Sequence, residues 1–251
     1  MSNEKFLRCH DVTAKWEGGW SDHPADPGGK TMYGVTEARW HEYQANRGVP
    51  RTPVRNITKD QAVAFYMSEF WRPARGEELP SGADLTVYDG SVNSGVSRSV
   101  KWAQQVAGVA VDGKAGAQTI AAIKAMRPDA FVKAHCAKRL GFVKSLAIWN
   151  TFGKGWSRRI ANVEATALSW VLTKAQMEAE AKAAQERGNQ QAGGAVVVTG
   201  GAVGDQASGL SGLPLWAIAG AVVLIVTILI IRIVINNQRS HALAKAAKEA
   251  L

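Results

Sequence analysis

Nineteen consecutive residues, Leu213 to Ile231 (LPLWAIAGAVVLIVTILII), carry no charge. No other feature constrains the fold of this chain as much. As a helix rising about 1.5 Å per residue, the run comes close to the ~30 Å hydrocarbon core of a bilayer. A buried core helix of this kind needs a domain that covers every side of it, and only a short tail follows. The sequence predicts a single C-terminal transmembrane helix over 213–235 and a basic tail over 236–251. Before it, residues 188–212 hold eight glycines, the composition of a flexible linker. A run rich in Ala, Glu and Lys, TKAQMEAEAKAAQER, precedes the glycines and predicts an exposed helix. Together these make a segment over 171–212, in which the cluster Val196–Val198 has no assigned role.

Residues 1–170 have a different character. Phe6, Cys9, Thr13 and Trp16 recur at steps of three and four, one face of a helix that reaches Glu17 and meets Gly18–Gly19 as its stop. The Gly and Pro content between Gly19 and Gly34 predicts a long loop or a small hairpin. Thr36 is placed to cap a helix over EARWHEYQANR, closed by Gly48. Thr58-Lys-Asp-Gln61 matches a capping box and opens a helix toward Trp71, which must stop before Pro73. Further helical patterns lie near 95–107, 117–126, 129–149 and 155–185. The fold class expected is mainly α, a helical domain with a small loop or hairpin insertion.

The formal net charge of +9 favours acidic partners. Residues 1–170 hold 23 Lys+Arg against 16 Asp+Glu, but scattered, with no basic stripe of the kind nucleic acid demands. A membrane-bound nucleic-acid binder would rest on charge alone, and no nucleic-acid partner is expected. Cys9 and Cys136 are too few for a disulfide framework and are read as small buried hydrophobes. The histidines form no metal spacing, and neither metal nor cofactor is expected. The first sixteen residues contain no apolar stretch resembling a signal peptide.

The chemistry concentrates in WEGGWSDHPADPGGKTMYG, Trp16 to Gly34. A carboxyl bordered by Trp16, Trp20 and a glycine turn is partly desolvated, which favours its protonated form, as a general acid requires. Glycines beside it leave room for a bulky polymer. Asp26, on the turn DPGG, would supply a second carboxylate in a wetter setting, and such a pair is the minimum equipment for glycosidic cleavage. The bland alternative is a solvated glutamate at a helix end. Trp20 and Tyr33 either line a sugar cleft or pack in the core; Trp40, inside a helix, belongs to the core. Asn93 either bonds an N-acetyl group or caps the helix beginning near Gly95. Asp112–Gly113 makes a turn.

EGGW followed by DPGGKTMYGVT resembles the signature of glycoside hydrolase family 108, the bacterial and phage N-acetylmuramidases related to lysozymes. The likeness continues through DGSVNSG (89–95), QQVAGVAVDGKAG (104–116) and GWSRR (155–159). The later stretches resemble the predicted peptidoglycan-binding half that accompanies the catalytic one. This implies a lysozyme-like catalytic half over 1–95 and a helical peptidoglycan-binding half over 96–170. It also implies cleavage of the β-1,4 bond between N-acetylmuramic acid and N-acetylglucosamine, with Glu17 as the catalytic glutamate. Phage-type lysozymes commonly place an Asp nine positions after the Glu and a Thr six beyond that. Asp26 fits; Thr31 falls five beyond it, and Met32 holds the sixth place. In the distal half, Ala117 stands where related proteins tend to carry proline.

The resemblance implies peptidoglycan as partner, whose stem-peptide carboxylates suit a cationic protein. A bilayer contacted through 213–235 is a second partner, and holin or other lysis or secretion proteins are a third. A catalytically silent wall-binding module that anchors an envelope or secretion machine is the alternative. Arg232, Arg239, Lys245 and Lys248 follow the apolar run, whereas the 25 residues before it carry only Asp205. The positive-inside rule then leaves the tail in the cytoplasm and the enzyme on the periplasmic or outer face of a bacterial inner membrane. The other arrangement holds the enzyme in the cytoplasm until lysis.

Overall fold

The computed structural model describes residues 3–22, 29–200 and 215–249, with the side chains of 191–200, 215–222 and 224 left out of the description. The described chain forms two compact units, Met1–Phe142 and Val143–Leu251.

In the first unit, α1 (Glu4–Ala14) buries Phe6, Cys9, His10 and Thr13. This is the predicted stripe, but the helix ends at Ala14, earlier than its apolar spacing suggests. Turn bonds from Trp16 N to Thr13 O and from Glu17 N to Ala14 O then carry the chain to Glu17. The expected insertion is a hairpin of two short strands, β1 (Thr31–Met32) and β2 (Val35–Thr36), paired Thr31 to Thr36 and Met32 to Val35. Its two-residue tip, Tyr33–Gly34, has φ of 52° and 75°. Positive φ at both positions is what the tight turn matching strand twist requires. Thr36 caps α2 (Glu37–Ala45) by accepting from Arg39 N, and Trp40 on that helix is buried. The Thr58–Gln61 capping box forms in full and opens α3 (Lys59–Tyr66), which runs on as a π-helical turn, Met67–Trp71.

Helix α4 (Ala83–Ser94) is buried from Ala83 through Ser91, because it has neighbours all round. On one side Tyr88 meets Phe6 and Trp71 edge-on, with centroids 5.7 and 5.6 Å away. On another, Ala83 and Val87 join a core with Ala103 of α5 (Val96–Ala107), Ile120 and Ile123 of α6 (Ala117–Ala125) and Phe131 of α7 (Pro128–Lys144). The boundary expected at 95/96 therefore falls between two helices that share one core, and the compact units part only after Phe142. Both aspartates of α4 are compensated by cations. Asp84 lies by Lys5 and Arg8, and Asp89 accepts from Arg139, an ion pair with both side chains at most 1% exposed. Cys9 and Cys136 are buried free thiols. Ala117 occupies the first position of α6, where proline is ordinarily favoured.

The second unit consists of α8 (Trp149–Ser169), α9 (Lys174–Gly200) and α10 (Leu215–Glu249), and it corrects three expectations. The single helix pattern over 155–185 breaks between Ser169 and Lys174. The glycine-rich stretch is helical up to Gly200 because α9 lies against α10: a Cβ on Gly188 would stand only 3.2 Å from Asn237 Oδ1. Packing of this kind overrides weak propensity; residues 201–212 of the expected linker lie outside the described residues. Residues 236–249 are no separate tail. They continue α10, bury Leu243 and Ala247, and carry Arg239, which donates to both oxygens of Glu164 on α8. Among the described residues no helix is long and apolar enough to cross a membrane. The first half of the predicted span, 213–222, falls outside the described side chains. In its second half, Val223, Ile225, Ile228, Ile230 and Val234 are exposed and Ile235 is buried.

Candidate active site

Two glycine environments shape the surroundings of Glu17. Gly34, at the hairpin tip, is in close contact: a Cβ there would stand 2.4 Å from Tyr66 Oη, 2.5 Å from Glu17 Oε2 and 3.0 Å from Glu17 Cβ. With φ at +75° as well, the position excludes any other residue without displacement. The Glu17 carboxyl is thus seated on bare backbone, half-buried, beside the Tyr66 hydroxyl. Gly18 and Gly19 are the reverse case. Neither has positive φ, and a Cβ on either would meet nothing within 4 Å. The fold does not require these glycines, and they leave open space next to the carboxyl.

The hairpin is fixed from both sides. Ser21 and Thr31 exchange backbone bonds of 2.9 Å in each direction, which ties the segment after Glu17 to β1. Tyr66 Oη donates to Tyr33 O at 2.9 Å, tying the tip to α3. A cleft of about 370 Å³ results. Helix α1 lines it with His10 and Asp11, the turn with Glu17 and Gly18, the hairpin with Tyr33, and α3 with Lys59, Ala62 and Tyr66.

Beneath the cleft, Tyr66 leads into an aromatic core. Its ring centroid lies 5.0 Å from that of His10, which stacks on Phe6 at 5.4 Å and shares a 2.9 Å hydrogen bond through Nδ1 with Tyr88 Oη. Burial pushes the His10 imidazole below its ordinary value, against the opposing pull of Asp11. Burial pushes the Tyr88 phenol well up, with smaller contributions from Tyr66, Asp89, Cys9 and Glu17. Both groups stay neutral near pH 7, so these two members of the wall behind Glu17 carry no charge. The half-buried Glu17 carboxyl thus stands between an aromatic backing and the open cleft.

Of the residues singled out in the sequence, Glu17 and Tyr33 share the cleft. Asp26 lies outside the described residues. Thr31 sits in β1, where its hydroxyl donates to Gly29 O at 3.0 Å. Trp20 is 36% exposed with the Arg55 guanidinium 5.0 Å above its ring, and it is not among the cleft-lining residues. Asn93 does not cap α5. Its Oδ1 accepts from Arg139 Nη2 at 3.1 Å, and Gly95, with no side-chain bond, precedes α5. Tyr66 and Lys59 escaped the sequence reading. Their common spacing with Ala62 along α3 marks one helical face, but nothing local shows that this face borders a cleft.

In the distal half, Asp112–Gly113 makes the expected turn, with Asp112 Oδ1 accepting from Lys114 N and from Gln104 Nε2. Gln104 Oε1 accepts from Gly113 N, so one buried amide clamps the whole loop.

Residues 10–95 match the family model described as Glycosyl hydrolase 108, and residues 98–161 match the one described as Predicted Peptidoglycan domain. No curated protein matches significantly. The solved structure of SagA from Brucella abortus is similar at 36% identity, with a TM-score of 0.61, covering 69% of this chain and 99% of that one. The second family model makes peptidoglycan the partner. The chain belongs to glycoside hydrolase family 108 and is a peptidoglycan glycosidase of the N-acetylmuramidase type.

Proposed function

We propose that Glu17 is the general acid of this muramidase and protonates the leaving oxygen of the β-1,4 bond between N-acetylmuramic acid and N-acetylglucosamine. The observation that carries this reading is the seat of Glu17: one face of the carboxyl lies against Gly34 and Tyr66, the other against the space that Gly18 and Gly19 leave open. Asp26 is the proposed second carboxylate, and Thr31 is proposed to position a water or the sugar. Tyr33, at the cleft edge, offers a ring face to a pyranose. Because this carboxyl stands in a cleft rather than on a flat binding face, catalysis is favoured over a silent wall-binding module.

Glu17→Gln keeps the shape of the side chain but carries no transferable proton. It is expected to lower clearing of purified peptidoglycan by several orders of magnitude with unchanged thermal stability. Muropeptide analysis of the wild-type digest should find N-acetylmuramic acid at the new reducing ends. A Gln variant that clears walls at near the wild-type rate removes Glu17 from the mechanism.

The enzyme is further proposed to be held at a bacterial membrane through the uncharged run that begins at Leu213, on the face where its substrate lies. Support comes from the charge-free sequence and from the exposed apolar side chains of α10 between Val223 and Val234.

A further inference from the structure

The cleft beside Glu17 holds charged groups that the cleavage step leaves unused. Asp11 on α1 and Lys59 on α3 both line it, and both are exposed. Burial keeps His10 neutral near pH 7, so Lys59 is the only cation among the described residues that line the cleft. Without it, a bound strand would meet the carboxyls of Asp11 and Glu17 and no opposing charge. Other cations of the first unit are engaged: Arg39 lies by Glu69, Arg139 by Asp89, and Arg55 over the Trp20 ring. The Lys59 ammonium has neither an ion pair nor a hydrogen bond among the described residues.

Nor does the helix explain this residue. Lys59 is the first residue of α3, directly after the Thr58 cap, where the helix dipole favours a carboxylate and disfavours a cation. Asp60 and Gln61, which follow, are what such a start calls for. A choice that is locally unfavourable and stands at the edge of a cleft points to what the cleft binds. Its reach follows from its register. Lys59, Ala62, Val63 and Tyr66 present one face of α3 to the cleft. The Tyr66 hydroxyl and the Glu17 carboxyl crowd the same glycine, Gly34, so Tyr66 marks the position of Glu17 along the helix. Lys59 precedes it by two turns, about 10 Å along the axis.

We propose that Lys59 determines specificity: its ammonium takes a carboxylate carried on the lactyl substituent of a muramyl residue, while Glu17 acts at the glycosidic oxygen. That carboxylate is either the free lactyl group or one of the stem peptide. Asp11 repels the same carboxylate from α1 and so directs it toward α3. The cleft then distinguishes peptidoglycan from a β-1,4-linked glycan that lacks acidic substituents. A charge-assisted bond of this kind adds to binding of the strand and takes no part in breaking it. This inference rests on the reading that the cleft at Glu17 is the site of cleavage.

The test measures kcat and KM of the full chain on soluble peptidoglycan strands in three forms. The first is intact, the second has its carboxyls converted to neutral amides, and the third is freed of peptide and keeps only lactyl carboxylates. On intact strands Lys59→Gln should raise KM about three- to tenfold and leave kcat within about twofold, with unchanged thermal stability. Lys59→Arg keeps the charge and should recover most of the affinity. On amidated strands the wild type and Lys59→Gln should converge. On peptide-free strands a persisting difference in KM assigns the carboxylate to the lactyl group, and its disappearance assigns it to the stem peptide. Arg72→Gln removes an exposed charge outside the cleft and should leave KM where it was. Equal KM for wild type and Lys59→Gln on intact strands overturns the proposal. So does the same rise in Arg72→Gln, or a Lys59→Gln defect that survives amidation. A Glu17→Gln protein with normal kcat overturns the underlying reading instead, and this inference with it.

Discussion

Helices α4 and α10 invert what their sequences suggest. ADLTVYDGSVNS holds two aspartates, and both are fully buried. The α10 sequence has no charge before Arg232, and Ile225, Ile228 and Ile230 stand exposed. The difference is the number of neighbours. Helix α4 lies among α1, the π-helical turn, α5 and the helices beyond, so every face loses water and each carboxylate needs a partner there. Helix α10 has α8 and α9 beside its second half, and the described side chains of its first half meet less protein. Burial follows from how many elements converge on a helix, while composition sets what that burial or exposure costs.

This contrast can be broken most severely at Arg139. Arg139→Met leaves the Asp89 carboxylate buried without its cation and should cost about 3–5 kcal/mol in denaturant unfolding of the wild-type fold. Adding Asp89→Leu should return most of it, since a buried ion pair replaced by apolar side chains is often neutral. No recovery in the double variant would show that the pair, beyond its mutual compensation, specifies the position of α4.

The next effect is one of pH. His135 on α7 is fully buried in contact with Ser99, and burial lowers its imidazole to about 4 from the usual 6.5. Between these values the unfolded chain binds a proton that the folded chain refuses. Stability is therefore full above about pH 6.5 and falls as pH drops toward 4, by about 3 kcal/mol in total. His135→Gln should flatten the slope of unfolding free energy with pH in that window; an unchanged slope assigns the acid sensitivity elsewhere.

At the site the same rule distinguishes two glycines beside one carboxyl. Gly34→Ala, at positive φ and against Tyr66 and Glu17, should cost about 1–3 kcal/mol and lower peptidoglycan clearing by displacing Glu17. Normal activity in a stable Gly34→Ala protein would mean that the seat of Glu17 is not what positions it. The smallest effect belongs to α10: Ile228→Gln, without lipid, should change unfolding free energy by less than about 0.5 kcal/mol. A larger loss would show that this face is covered by protein after all.

Much of the architecture was legible in local patterns. The α1 stripe, the Thr36 cap, the Thr58–Gln61 box and the Asp112 loop each depend on residues close in sequence, as does the break in helix that the Gly and Pro content after Gly19 announces. Backbone capping, turn φ values and helical periodicity act over those short distances and leave marks there. Glu17 and Tyr33 were found because both lie in one short glycine-rich stretch. Tyr66 and Lys59 were not, since they reach the cleft from a separate helix whose sequence is unremarkable.

What the sequence determined by itself was most of the helices of the first unit, though not α4, together with the pairing of family segments and the presence of one long uncharged run. Only the tertiary structure decided how these meet. It bound Asn93 to Arg139 rather than leaving it as a cap, and it joined residues on either side of 95/96 into one core. It also carried α9 through its glycines along α10, and folded the basic end of α10 back onto Glu164. Each of these depends on a contact between residues far apart in sequence. Such contacts come from the desolvation and close packing of whole elements, which no local pattern records.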